Sequence, residues 1–447
     1  MRCLRPSPAA TAPRKHQRRL LRCSASAPDA ADAAFQALCR SAGVASPFGT
    51  PALSLRNGVL GRGLFAARDV APGEPLLSVP LSLCLVAERA AAVAVPGAPW
   101  ATLTAGAVPG WPRLQTPGAE YPLPWDLRLS LALLDAAAGD GGGGSEAATW
   151  REYGALLPPP SSLSHPITLP PDTLRLAGQP ALQADWAADA ARLAALCPAI
   201  PAPELLHGVA LARSRAFVAG DVFLIVPFVD MANTSFAPGG VNAAAALRVA
   251  PGRDAAAALL AADGTFELAA GSAGIKAGQE VLISYGAGGT PNASLLARYG
   301  FVRDANPNDR LSSLPQIAGL DAAALERAAA AATEAKGGRW LRERSTDATL
   351  QAALASIPCR PAPARAASAT ARPPAEERAD VAALRSAVAD ALAALPPGGS
   401  ESDAAELAAL RAQGDPAALL LQLRAEHRGL LTRVAWLLDA YDAALAK

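Results

Sequence analysis

Four short phrases hold the side chains that could do chemistry in this chain of 447 residues. The first, Gly61-Arg62-Gly63-Leu64-Phe65-Ala66, formally fits the G-x-G-x-x-A fingerprint of dinucleotide sites. That chemistry needs a helix opening directly afterwards, so that its first amides face pyrophosphate. Here Arg68-Asp69-Val70-Ala71-Pro72-Gly73 follows, which is a turn. Two readings remain: a plain hairpin, or glycine backbone lying close against a different nucleotide-like ligand. The second phrase, Ser214-Arg215-Ala216-Phe217, closes a helical pattern just ahead of an apolar run. Arg215 there is either a solvated helix residue or a partner for a ligand carboxylate. The third covers residues 225–235, in which Asn233 and Ser235 either satisfy backbone groups as Asx-type turn residues do or face a ligand. The fourth, residues 281–286, is a β-type run ending at Tyr285, a residue type equally at home at the edge of a core.

Composition narrows the function classes. The length suggests two domains plus extensions, and 51% apolar residues supply a packed interior, although Ala buries little area per residue. The net charge of +1 hides a separation: residues 1–28 carry seven Lys/Arg and no acid, so the remainder sums to 1 − 7 = −6. A body of that sign lacks the basic footprint of a nucleic-acid partner. The Ser-, Ala- and Pro-rich basic leader has no apolar segment of signal-peptide length, which predicts a transit peptide over 1–28. Arg22-Cys23-Ser24-Ala25 suits plastid processing, so the expected location is the chloroplast stroma, with a mitochondrial address or a basic tail as alternatives. Six cysteines without any Cys-x-x-Cys spacing predict neither zinc nor a disulfide framework. The charge-free stretch 90–112 has the length of a membrane span, but Pro96, Pro99, Pro109 and Pro112 argue against one helix, so no membrane partner is expected.

Around these phrases the pattern changes from helix (30–42) to short strands separated by Asn57-Gly58 and Pro72-Gly73 (51–85), as hairpins require. The phrase at 69–77 returns at 274–282, a turn glycine before an apolar strand, and predicts two small sheets. Helical spacing over 127–137, 173–176, 182–196 and 204–219 predicts a helical region between them. From 306 onward the pattern is helical, broken by a Pro/Ala/Arg linker at 358–374 and closed by an apolar stripe over 419–445.

Taken in order, Gly61-Arg-Gly-Leu64, Ser214-Arg-Ala-Phe217, Val226-Pro-Phe-Val-Asp-Met-Ala-Asn233, Ile283-Ser-Tyr-Gly286, Tyr299-Gly-Phe-Val302 and Asn306-Pro-Asn-Asp309 resemble the SET-domain lysine methyltransferases of the plastid Rubisco large-subunit methyltransferase type. The resemblance implies an α+β chain. A SET-type β fold of small sheets with a threaded C-terminal turn would occupy 47–305, with a helical insert at about 87–219. An all-α substrate-binding domain would follow over 306–447.

It also implies S-adenosyl-L-methionine against the backbone of Gly61, Arg62, Gly63 and Leu64 and the Asn233–Thr234 turn, with Arg215 at its amino-acid end. A target lysine would enter a channel walled by Phe217, Ile283, Tyr299 and Phe301. Carbonyls around Ser214 and Asp230 would aim its amine, and Tyr285 would sit where sulfonium, methyl and amine meet. No metal is implied, and the implied partner is a protein substrate such as Rubisco large subunit or a plastid aldolase. Relatives usually carry Asn-His-Ser where this chain has Asn233-Thr234-Ser235. A weakly active or inactive protein-binding module, and a histidine-directed methyltransferase of the same fold, are the alternative expectations.

Overall fold

The computed structural model describes residues 30–44, 52–88, 93–94, 102–103, 124–138, 145–198, 200–220, 222–360 and 372–446. The expected transit peptide at 1–28, much of the 90–112 stretch and the centre of the 358–374 linker lie outside the described residues.

The glycine-bearing phrase is a hairpin. Strands Leu53–Gly58 and Gly61–Ala66 pair antiparallel with Gly58 opposite Gly61, so Val59 and Leu60 form the tip. This corrects the Asn57-Gly58 turn expected from sequence: both residues stay in the ladder, and Gly61 supplies the positive φ (94°) that re-enters it. The repeated phrases lead into two different small sheets, Leu76-Leu77 into one and Leu282 into another, and their turns also pair with one another. Val70 and Ile275 exchange backbone hydrogen bonds at 2.8 and 3.0 Å, and Asp69 accepts from Ala277 N and Lys276 Nζ, each at 2.9 Å. Sequence similarity here marks two turns with the same task, each presenting a strand edge to the other.

A three-stranded sheet in the order Ala243–Arg248, Thr265–Ala270, Pro75–Pro80 packs beside that unit. A second sheet joins Leu85–Glu88 to Val222–Ile225 and then to Phe217–Ala219. The helical region contributes Trp125–Ala138, Ser145–Gly154, Pro180–Leu196 and Ala202–Arg215. The last helix stops four residues before the expected 219. Ala216 is extended (φ −71°, ψ 130°), and Phe217-Val218 enters the ladder, where an aromatic and a β-branched residue pack well.

The C-terminal helices Ala322–Ala335, Ala348–Ser356, Pro374–Ala394 and Ala418–Leu445 surround a core of their own that includes Leu384, Val388, Leu430, Val434 and Leu437, and helix Ser400–Gln413 packs on the last of them. A small cluster of Leu174, Trp186, Leu296, Val302, Leu420 and Leu423 joins it to the N-terminal part. Arg424 and Arg428 both pair with the buried Asp403 at 2.9 Å, which pins the last two helices together. No helix among the described residues is long and apolar enough to cross a membrane.

Two histidines set a pH limit on this packing. Burial pulls His165 down to about 3 and His427 down to about 4. Below the unfolded value near ~6.5 the unfolded chain takes protons that the folded chain refuses, so stability falls as pH drops through that window and is level above it. Urea unfolding is expected to show a loss of about 2 kcal/mol per histidine at pH 5 relative to pH 7.5. A His165→Gln/His427→Gln double variant should flatten the dependence; an unchanged slope would contradict these burials.

Candidate active site

Asn233 and Thr234 form a short parallel pairing with Leu282 and Ile283, the register being Leu282 opposite Asn233. Parallel neighbours cannot be joined by a tight turn, so the intervening chain must loop around and return. Asn242 holds the crossing: its Nδ2 donates to the Glu280 carbonyl and its Oδ1 accepts from Leu282 N, both at 2.8 Å. The hairpin lies over this crossing. Asn233 Nδ2 donates to Glu280 Oε1 at 2.8 Å and more weakly to the Arg62 carbonyl at 3.4 Å. A Cβ at Gly63 would come within 2.6 Å of both Asn233 Nδ2 and Glu280 Oε1, so only glycine lets the strand approach this closely. Burial raises the pKa of Glu280, against the opposing bond from Asn233.

On the other side of the turn, the Tyr285 hydroxyl donates to the Ala232 carbonyl at 2.8 Å. Burial pushes the phenol well above its ordinary value, so it remains a protonated donor at neutral pH. Tyr285 packs on Tyr299, with ring centroids 5.3 Å apart, and Phe301 follows in the row at 5.8 Å from Tyr299. Beside them opens a cavity of about 600 Å³ lined by Ser214, Arg215, Phe217, Asp230, Tyr285 and Tyr299, among others. Strand Ala243–Arg248, Phe266 and Arg298 complete much of its wall. The helix Asn292–Tyr299 that presents Arg298 and Tyr299 is fixed at its start by Asp309. That carboxylate accepts from Asn292 N at 2.6 Å and from its Nδ2 at 2.8 Å.

Beneath the cavity sits a buried ion pair. Arg215 Nη1 donates to the Asp230 carboxylate at 3.1 Å and to the Asp230 carbonyl at 3.3 Å, and the Tyr153 hydroxyl donates to the same carboxylate. Burial opposes the Arg215 charge, but Asp230 outweighs it and keeps the guanidinium protonated. Burial likewise raises the pKa of Asp230, with Arg215 and Tyr153 acting in the other direction. Phe228, at φ 72°, is strained where a bulky residue rarely goes; the reversal lets Asp230 N reach the Val226 carbonyl at 3.0 Å. Edge contacts with Phe35 (5.8 Å) and Tyr153 (5.3 Å) hold it there.

The same overall arrangement occurs in solved structures of LSMT. The SET domain of LSMT bound to lysine and AdoHcy aligns with a TM-score of 0.55 at 18% identity, over 93% of this chain and 92% of that one. Rubisco LSMT bound to AdoMet aligns at 0.54 and 17% identity, over 93% of each chain. The chain has the SET fold. No family model and no curated protein matches it. In SET terms, the parallel pairing at Asn233–Thr234 is the threaded turn, the helices from Trp125 to Arg215 are the insert, and the C-terminal helices form the appended helical part.

Against that fold the expected site residues divide. Arg62 and Gly63 meet Asn233 of the turn, whereas Gly61 stands beside open space. Leu64 is fully buried, and its carbonyl already accepts from Val281 N at 2.7 Å. The Arg62 side chain turns to the Leu156 carbonyl on the insert. Arg215 lines the cavity, and its Nη1 donates to both the carbonyl and the carboxylate of Asp230. Ser214, Phe217, Asp230 and Tyr299 line the cavity, whereas Ile283 belongs to the core and Phe301 packs behind the lining, on Tyr299. Sequence reasoning missed Glu280, Tyr153, Arg298 and Phe266; Glu280 stood five residues before Tyr285, but nothing in the sequence says that it faces Asn233.

Removing one member of a buried ion pair leaves the other charge uncompensated. Asp230→Ala is therefore expected to cost about 3–5 kcal/mol in urea unfolding. Tyr153→Phe, which removes one bond to a charged acceptor, should cost about 1–3 kcal/mol. Equal, near-zero costs would mean that the network is solvated.

Proposed function

We propose that this chain is an S-adenosylmethionine-dependent protein-lysine N-methyltransferase acting on a plastid protein, with Rubisco large subunit and aldolase as the first substrates to test. The observation that carries the reading is the position of Tyr285. It is a half-buried, protonated phenol anchored to the Ala232 carbonyl, two residues after the threaded pairing and at the wall of an aromatic-lined cavity. The SET-fold neighbours support it, since LSMT structures hold lysine or methyllysine together with AdoHcy or sinefungin.

The residues at the hairpin fit such a cofactor. Gly61 has open space where a Cβ would stand, Gly63 admits close backbone approach, and Asn233 and Glu280 provide an amide and a carboxylate beside it. The carboxylate suits an α-ammonium, while the hairpin backbone and the turn's peptide groups offer bonds to a nucleoside. The Asn233–Thr234 turn pairs through its backbone, so the histidine usual in relatives is not needed to form it. When bound, S-adenosylmethionine supplies a methyl group made electrophilic by the sulfonium.

The chain's own work is on the amine. A lysine with a reference pKa near ~10.4 is mostly ammonium at neutral pH and has no lone pair to offer. Apolar and aromatic walls disfavour that charge and favour the neutral amine. The Asp230 and Ala232 carbonyls each have a second lone pair beyond the bonds described and can accept from the amine N–H groups, which orients its lone pair. Tyr285 keeps its proton on the Ala232 bond and leaves its oxygen lone pairs for weak C–H contacts.

Two measurements test this reading. With labelled S-adenosylmethionine and stromal extract, Tyr285→Phe is expected to lower turnover by about 10²-fold while cofactor binding persists. Undiminished turnover would contradict the role, and label found on histidine would move the assignment to the alternative acceptor. Gly63→Val, which forces atoms onto Asn233 and Glu280, should weaken S-adenosylmethionine binding by at least about tenfold, a change of about 1.4 kcal/mol. Unaltered affinity would place the cofactor elsewhere.

A further inference from the structure

The cavity beside Tyr285 carries an unbalanced charge. Three of its lining residues are charged: Arg215, Asp230 and Arg298. The first two pair with each other at 3.1 Å, whereas Arg298 has no ion-pair partner among the described residues and is exposed. Its guanidinium carbon lies 5.3 Å from the centroid of the Tyr299 ring, which is itself part of the wall. A cation in the last turn of a helix and stacked on an aromatic is stable without any ligand. Two further features make this one a recognition group. The start of its eight-residue helix is locked by Asp309 and Asn306, so the arginine is carried on a fixed element. Strand Ala243–Arg248, which lines the same cavity, is an edge strand: it pairs only with Thr265–Ala270 in its sheet, and its Ala243–Ala246 side chains are small. An edge of that kind accepts an extended peptide through backbone bonds.

We infer that the segment entering this cavity is an extended peptide with a carboxylate side chain one or two positions from the target lysine, and that Arg298 pairs with that carboxylate. The inference deepens the lysine-methyltransferase reading and rests on it. It separates substrates by the charge beside the lysine: an acidic neighbour offsets the Arg298 charge, a neutral one leaves it as it is, and a basic neighbour repels it. Because Arg298 is exposed, the discrimination is modest and sensitive to salt.

The test uses fluorescein-labelled nonapeptides with a central lysine in a Gly/Ala background, flanked by Asp, Asn or Lys, in anisotropy titrations of the full chain. At low salt the Asp peptide is expected to bind about threefold more tightly than the Asn peptide. Arg298→Glu should invert the order in favour of the Lys-flanked peptide, and 0.5 M salt should shrink both preferences. Equal binding of the three peptides, no peptide binding, or a preference that survives Arg298→Glu overturns the inference. Titration of the same samples with S-adenosylmethionine separates the two levels. A chain that binds it without charge preference sinks this inference alone, and a chain that binds neither ligand sinks the methyltransferase reading as well.

Discussion

The pairing of Arg215 with Asp230, closed by the Tyr153 hydroxyl, is the interaction around which the site is organised. Each partner comes from a different part of the chain: Arg215 ends the last insert helix, Asp230 sits in the turn after the Val222–Ile225 strand, and Tyr153 lies on an earlier insert helix. Asp230 has a fully buried side chain, so water cannot replace a lost partner. That condition fixes the insert against the β fold and holds the strained Phe228 turn.

The second constraint is the threaded turn. Leu282–Ile283 must pass beside Asn233–Thr234 in the parallel sense, and the bonds of Asn242 keep the crossing closed. Glu280 then lies beneath the hairpin, where it meets Asn233 across the space left by Gly63. The Asn233–Glu280 pair on one side of the turn and the aromatic cavity on the other are thus products of one crossing, with Tyr285 anchored to it. Thr234 contributes through its backbone pairing opposite Ile283.

Much of this was legible in the sequence because the relevant phrases are local. The turn glycines, the apolar runs and the order of the six phrases pointed to small sheets, a helical insert and a helical C-terminal part, and the fold is of that kind. Contacts between distant phrases were less accessible. The similarity of 69–77 and 274–282 was visible, but not that Val70 and Ile275 pair with each other. Asn57-Gly58 looked like a hairpin tip because that dipeptide favours positive φ, yet Gly61 took that role and moved the tip to Val59-Leu60. Glu280, Tyr153 and Arg298 carry no local signature at all; each gains meaning only from what folding places opposite it.

The most direct test of the account is a crystal structure of the chain with S-adenosylhomocysteine and a lysine peptide. The nucleoside is expected against the Gly61–Leu64 hairpin and the Asn233 turn, and the lysine amine inside the cavity within hydrogen-bond reach of the Asp230 or Ala232 carbonyl, next to Tyr285. A nucleoside bound away from that turn, or a lysine that stays outside the cavity, would contradict it.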